Sequence, residues 1–383
     1  MAATQLVQGS FEVSVHLFEK RPSLGRKLLI AGSSGLNISH ELKPAVFASH
    51  YEGFSEHYWT DLFTRYGPQD WIQFIETELK LETFLGTSQR YFVKEMKASG
   101  LLKRWTEFLK TRGVTIHSNC ELLDFESDAK RVRLKFLGPH PSEFTNFSAD
   151  QAIFALGGAS WENEEPAWAG RFKAKGIEIV PFTASNVGYE VDWHPKFLAE
   201  AEGKPLKKVV LKTKRGKKLG ELVVTQYGLE GTPIYFCGEV GEAMLDLKPD
   251  LSVAEIIARL SKVKENLSPM RRVKHYLTLG EASESLIFHT APEAVKSDLK
   301  QLAEFIKNVP LTLKRPRPLS EAISSRGGVA LRELSLELRL KKFERIYAIG
   351  EMLAWDAPTG GFLIQAAVSQ GAAVGKLLKE SES

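Results

Sequence analysis

The chain has 383 residues, room for two or three domains with a sizeable core. Hydrophobic residues make up 43% and charged residues 26%, which excludes a largely disordered chain. The 51 basic against 47 acidic side chains leave a net charge of +4, too small by itself to mark a nucleic-acid binder. Cys120 and Cys237 stand far apart and form no CxxC pair, which argues against a zinc site or disulfide framework and fits a reducing cytoplasm. No apolar run is long enough to cross a bilayer, and the first ten residues lack the basic and apolar stretches of an export signal.

Met1 to Gly9 reads as a short helix ending at a glycine, and Phe11 to Phe18 as a strand closed by Glu19. Helix, turn and strand closed by an acid look like the second half of a βαβ unit. Its first half would be a strand and a G-x-G-x-x-G turn, whose backbone amides hold a pyrophosphate. No two of the 30 glycines are separated by a single residue, so this fingerprint is absent. Residues 55–80 predict helix, rich in aromatics, and Leu101–Lys110 a second amphipathic helix. Strands are expected at Gly113–His117, Glu121–Glu126 and Arg131–Leu137. Gln151–Leu156 reads as a buried parallel strand running into Gly157-Gly158. From Val187 to about Leu247 short strands and turns take over, with a hairpin turning at Arg215-Gly216. Residues 252–308 are helical; after the proline-rich Leu311–Leu319 come a strand at 345–350, a glycine turn and a helix from about Gly361 to Leu378. This order predicts a discontinuous nucleotide-binding domain, 1–186 with 320–383. A β-rich domain (187–251 with 309–319) and a helical insert (252–308) would interrupt it.

Three groups of residues carry chemistry. Glu19, at a strand end, is placed to accept from both hydroxyls of an adenosine ribose; an exposed surface acid is the ordinary alternative. Gly25-Arg26-Lys27, followed by a Gly/Ser-rich stretch to Asn37, offers point charges and backbone N–H groups to a diphosphate, and Asn37 a donor and an acceptor to a heterocycle. In Gly350-Glu351…Thr359-Gly360-Gly361-Phe362-Leu363-Ile364-Gln365, the paired glycines let a ring approach the backbone. The following helix aims its positive end there, and Glu351 suits sugar-like hydroxyls. The alternatives are a solvated loop and a glycine turn that only starts a helix.

Phe18-Glu19-Lys20, the run Gly25 to His40, ALGGASW at 155–161 and GEMLAWDAPTGGFLIQA at 350–366 together resemble bacterial NAD(P)/FAD-dependent oxidoreductases, in particular the aminoacetone-oxidase-like flavoproteins, a family that includes a bile-acid oxidoreductase. Blocks at 86–105, 224–235 and 322–329 extend the resemblance over essentially the whole chain. It implies an α/β fold: a Rossmann-like FAD-binding domain with an inserted β-barrel-like domain and a helical cap. It also implies that Glu19 holds the adenosine ribose, that Lys20 is among the cofactor-binding residues, and that Arg26, Lys27 and Gly32 to Asn37 lie along the pyrophosphate and flavin. The Leu122 backbone would meet the adenine, and Gly157 and Gly158 would cross the nucleotide. Gly350 and Glu351 would lie near the ribityl chain, and Gly360, Gly361, Phe362 and Gln365 under the isoalloxazine. His40, Arg90 and Tyr91 are neighbours by motif position, and no residue is assigned as catalytic. Family members begin with the strand and glycine turn, whereas Met1-Ala2-Ala3 falls within the helix that follows. A start codon assigned too late, or a truncated product, is the expected reason.

The activity expected is hydride transfer through flavin N5 to or from a small molecule, with NAD(P)H a possible donor. A flavin-weak binding protein is the second reading, resting on the missing fingerprint, and an RNA-associated flavoprotein the third. The third rests on Lys204, Lys207, Lys208, Lys212, Lys214, Arg215, Lys217 and Lys218, which as lysines on a hairpin edge more often prevent edge pairing. Asp192, His194, His275 and His289 lack metal-ligand spacing, and Trp161 and Trp355 read as packing or cofactor neighbours.

Overall fold

Strand pairing in the first part of the chain follows its β-branched and aromatic runs, but over shorter spans than expected. In the computed structural model, which describes every residue except 9–12, 33–35, 87, 139–143, 262–266 and 382–383, the first strand is His16–Glu19. It pairs in parallel with Thr115–Ser118, Glu19 opposite Ser118, and the Phe11 end of the expected strand lies outside the described residues. Phe18 stacks on His117 and Phe136, at 4.5 and 4.1 Å between ring centres, which seals one face of this pair. A second parallel pair joins Ile346–Ala348 to Ala152–Phe154. Among the described residues these remain two pairs and not one continuous sheet.

The chain forms two compact units, Met1–Thr183 with Ser325–Ser383 and Ala184–Ser324. In the first, the aromatic stretch expected as helix divides into Glu56–Arg65 and Pro68–Thr77. Pro68 explains the division: it has no N–H to continue a helix and suits the first position of a new one. Trp59, Phe63 and Trp71 are buried on the inward faces. The last helix, Phe362–Ser381, is the unit's spine. A Cβ on Gly375 would lie 2.7 Å from the Ala2 carbonyl oxygen, so glycine there lets the helix Ala2–Val7 lie directly against it.

The second unit is built on a six-stranded antiparallel sheet, in spatial order Tyr189–Glu190, Gly228–Glu230, Gly216–Val224, Pro205–Thr213, Gly241–Asp246 and Val309–Leu313. Glu190 closes it into a barrel, donating its N–H to the Arg315 carbonyl and accepting from Lys314 N–H, both at 2.9 Å. Thr213 pairs with Gly216, so Lys214-Arg215 make the turn, one residue earlier than the sequence indicates. On its outer side each hairpin strand is paired over only part of its length, at Val223–Val224 and at Val210–Lys212, so Lys207, Lys208, Lys217 and Lys218 lie on stretches with no second strand partner among the described residues. The helices between Val253 and Lys307 share one core with the sheet, where Ile256, Leu286 and Leu302 meet Leu211, Leu222 and Leu245. Among the described residues no helix is long and apolar enough to cross a membrane.

Candidate active site

Gly25 opens the short helix Arg26–Ala31 with φ +66°, and side chains successive on a helix diverge. Arg26 is therefore exposed while Lys27 turns inward. The Lys27 ammonium donates to the Gly158 carbonyl at 2.6 Å, lies 3.4 Å from Ser160 Oγ and stands 3.9 Å from Glu351 Oε2. Glu351 leaves the strand Ile346–Ala348 on the turn Gly350–Met352, and its other oxygen accepts from Ser325 N–H at 3.2 Å. Ser325 Oγ in turn accepts from Ala159 N–H at 2.8 Å. These residues close on Gly158, where a Cβ would fall 2.3 Å from Ser325 Oγ and 3.0 Å from the Glu351 side chain. Burial raises the Glu351 carboxyl above its ordinary range, against the pull of Lys27 and the backbone donors. Burial likewise lowers the Lys27 ammonium, with Glu351 opposing.

The second cluster forms where strand Asn37–His40 meets the last helix. His40 lies opposite Arg90 on the antiparallel strand Arg90–Val93. Gly360 and Gly361 both have positive φ, +107° and +98°, but face different neighbours. A Cβ on Gly360 would come within 3.1 Å of both Arg90 Nε and His40 Nε2. One on Gly361 would meet the Ser39 backbone N at 2.6 Å. Gly361 thus backs onto the strand, so its glycine requirement comes from packing. Phe362 stacks between His40 and His50, at 4.5 and 4.7 Å, and its carbonyl accepts from Tyr51 Oη at 2.7 Å. Gln365 is fully buried and spent internally, accepting from Ser39 Oγ at 2.7 Å and donating to Ser369 Oγ at 3.0 Å. Asn37 Oδ1 is buried with no partner among the described residues.

The remaining expected residues spread along this unit. Glu19 Oε1 accepts from Arg21 N–H at 2.8 Å, and Lys20 is exposed. Gly32 ends its helix against Ala98, whose Cβ would be 2.5 Å from an added one; Ser33 to Gly35 lie outside the described residues. Leu122 is buried opposite Phe136, with a register shift just after it. Gly157 has φ +77°, and a Cβ there would meet the Lys27 ammonium at 3.7 Å. Gly350 has φ +77° and donates its N–H to Gln370 Oε1 at 2.8 Å. Tyr91 Oη donates to Glu41 and also receives Gln69 Nε2 at 2.8 Å. Sequence reasoning gave no role to Ser325, Ser160, Tyr51 or Gln370. The block Ala322–Val329 was the available signal for Ser325, without a chemistry attached. Among the described residues no three potential metal ligands converge.

Parallel strand pairs with glycine turns and an acid at their ends define a Rossmann-type nucleotide-binding unit. The family described as "HI0933-like protein Rossmann domain" matches residues 1–377, and the chain belongs to it. The protein is an FAD-dependent oxidoreductase. A 3-dehydro-bile acid delta(4,6)-reductase from Clostridium scindens is 20% identical over 408 residues, covering 99% of this chain and 96% of that protein. Among solved structures, the FrdA chain of E. coli quinol fumarate reductase shares the fold, with a TM-score of 0.50 and 14% identity over 99% of this chain and 67% of FrdA. A 3-ketosteroid-delta4-(5alpha)-dehydrogenase from Rhodococcus jostii aligns with a TM-score of 0.49 and 12% identity, over 99% of this chain and 93% of that one. The residues present fit FAD at its flavin and ribityl end: Asn37 Oδ1 is buried with no partner among the described residues, and Gly157 carries no side chain beside the Lys27 cation.

Proposed function

We propose that this oxidoreductase moves a hydride between its flavin and a small organic molecule, with NAD(P)H as electron donor, in the cytoplasm. The observation that carries the reading is the knot of Lys27, Gly158, Ser325 and Glu351 beside Gly157. Its single cation and single carboxylate suit one nucleotide phosphate and one run of hydroxyls. Bound FAD supplies two-electron chemistry at its N5 atom. Glu19 receives ribose hydroxyls on the oxygen that Arg21 N–H leaves unused, while Lys20 and Arg26 are exposed and available to phosphates. The register shift after Leu122 frees backbone groups for the adenine. Gly350, Glu351, Gly360, Gly361, Phe362 and Gln365 form the flavin side, with Gln365 and Gly361 acting through the fold they hold in place. Similarity to a protein named as a bile-acid reductase supports a small-molecule substrate.

The test is the absorption spectrum of the purified chain, before and after anaerobic addition of NADH or NADPH. Bound FAD that one of the two nucleotides bleaches is expected. Failure to hold FAD after reconstitution would remove these residues from the cofactor site, and unbleached FAD would remove NAD(P)H as donor.

A further inference from the structure

We propose that Arg90 and His40 form an anion site at the Gly360 turn, which takes the carboxylate of a small-molecule substrate. Arg90 is half-buried, and its Nε is fully covered with no hydrogen-bond partner. Among the described residues no carboxylate pairs with its guanidinium. The neighbouring acid, Glu41, is already engaged by Tyr91 Oη and Gln69. Burial lowers the Arg90 guanidinium, and no charge among the described residues offsets it. A buried cation is costly unless an anion accompanies it, and arginine's planar fork matches a carboxylate in particular.

Glycine at 360 keeps a side chain out of this corner. Strand pairing sets His40 directly opposite Arg90, so the imidazole and the guanidinium edge face the same point. Gly360 lies beside both groups: a Cβ there would come within 3.1 Å of His40 Nε2 and of Arg90 Nε alike. Any other residue at 360 would put a side chain there. Phe362, stacked on His40, fixes the imidazole plane. Nothing in the chemistry of phosphate binding is required here, since the knot around Lys27 uses other residues.

The role in the reaction rests on reading Gly350–Gln365 as the flavin side; the anion site itself does not. The probe is benzoate, used with the full-length protein. Phenylglyoxal, which modifies guanidinium groups, is expected to label Arg90, and benzoate to protect it in a saturable way by peptide mass mapping. Benzoate affinity by calorimetry should fall about ten-fold or more in Arg90→Gln, which is 1.4 kcal/mol or more. Partial recovery is expected in Arg90→Lys, with circular dichroism and FAD content unchanged in both. Loss of FAD from Arg90→Gln would instead make Arg90 a flavin residue and overturn the proposal. Equal benzoate affinity of wild type and Arg90→Gln, or no protection at Arg90, overturns it as well. A wild-type chain that holds no FAD yet shows benzoate protection at Arg90 would keep the anion site while sinking the flavin reading.

Discussion

Replacing Lys27 by methionine keeps the aliphatic stem and removes the ammonium that ties Gly158 to Glu351. The bond to the Gly158 carbonyl, at 2.6 Å, is charge-assisted, and such bonds contribute roughly 1.5–3 kcal/mol. The ion pair adds less. Near a protein surface, two unit charges about 4 Å apart interact by about 4 kcal/mol at most. Lys27 is 32% exposed and 3.9 Å from Glu351, so solvent screening brings the pair down to about 1 kcal/mol. The variant should lose about 2–4 kcal/mol at pH 7. A pH signature separates the two parts. The Glu351 carboxyl is raised in the folded chain above its ordinary 4.5. The folded state therefore holds a proton that the unfolded state releases, and stability falls as pH rises from 4.5 through the folded value. Without Lys27 that fall is steeper, so the cost of Lys27→Met should be larger at pH 7 than at pH 4. In a Glu351→Gln background it should be smaller and flat with pH over this range. Urea unfolding of the four chains of this double-mutant cycle at both pH values gives the answer. Single effects that add within about 0.5 kcal/mol at pH 7 would refute the coupling of Lys27 to Glu351.

Glu19→Ala should lower FAD affinity about ten-fold or more, through loss of charge-assisted bonds to the ribose hydroxyls; titration showing unchanged affinity would return Glu19 to capping Arg21 N–H alone. Gly361→Val puts a branched side chain 2.6 Å from the Ser39 backbone at φ +98°, so it should yield little folded protein; a native circular dichroism spectrum would refute the packing described for this turn. Gly360→Ala brings its Cβ to 3.1 Å from Arg90 Nε and His40 Nε2, and its positive φ costs about 1–3 kcal/mol; a folded chain with weakened benzoate binding is expected by calorimetry.

The fold class was legible because two features survive in any sequence of this kind. Short apolar runs end in glycine pairs, as at Phe154 to Gly158, and acids follow strands, as at Glu19 and Glu351. What the residues could not disclose was direction. Arg26 and Lys27 are adjacent cations with one sequence signature, yet helical rotation exposes the first and turns the second inward. Gly360 and Gly361 are identical residues with similar φ, and only the position of strand Asn37–His40 separates a glycine packed on backbone from one beside two side chains. The hairpin turn moved by one residue for a related reason. Gly216, with φ +143°, is already paired with Thr213, so the glycine that marks the turn in sequence belongs to the strand. Ser325 was invisible because a serine beside another serine carries no chemistry until the fold places Ala159 and Glu351 around it.

The buried polar residues of the last helix explain why two clusters so far apart in sequence stay in register. Gln365 fastens the helix to Ser39, Ser369 donates to the Tyr66 carbonyl at 2.7 Å, and Gln370 receives the Gly350 N–H. Each bond satisfies a group that would otherwise be costly inside the core, and each ends on a segment that carries a site residue or flanks one. Ser39 stands next to His40, and Gly350 next to Glu351. Tyr51 completes the frame by holding the Phe362 carbonyl at the helix start. Gln365 Oε1 and Nε2 each have an internal partner and the residue is fully buried, so Gln365 serves the fold first. Among the described residues Asn37 Oδ1 and Arg90 Nε, on the strands that the helix holds, are buried without a hydrogen-bond partner, as is Gln370 Nε2 on the helix itself. The polar face of the helix thus holds the strand Asn37–His40 and the turn at Gly350 in register.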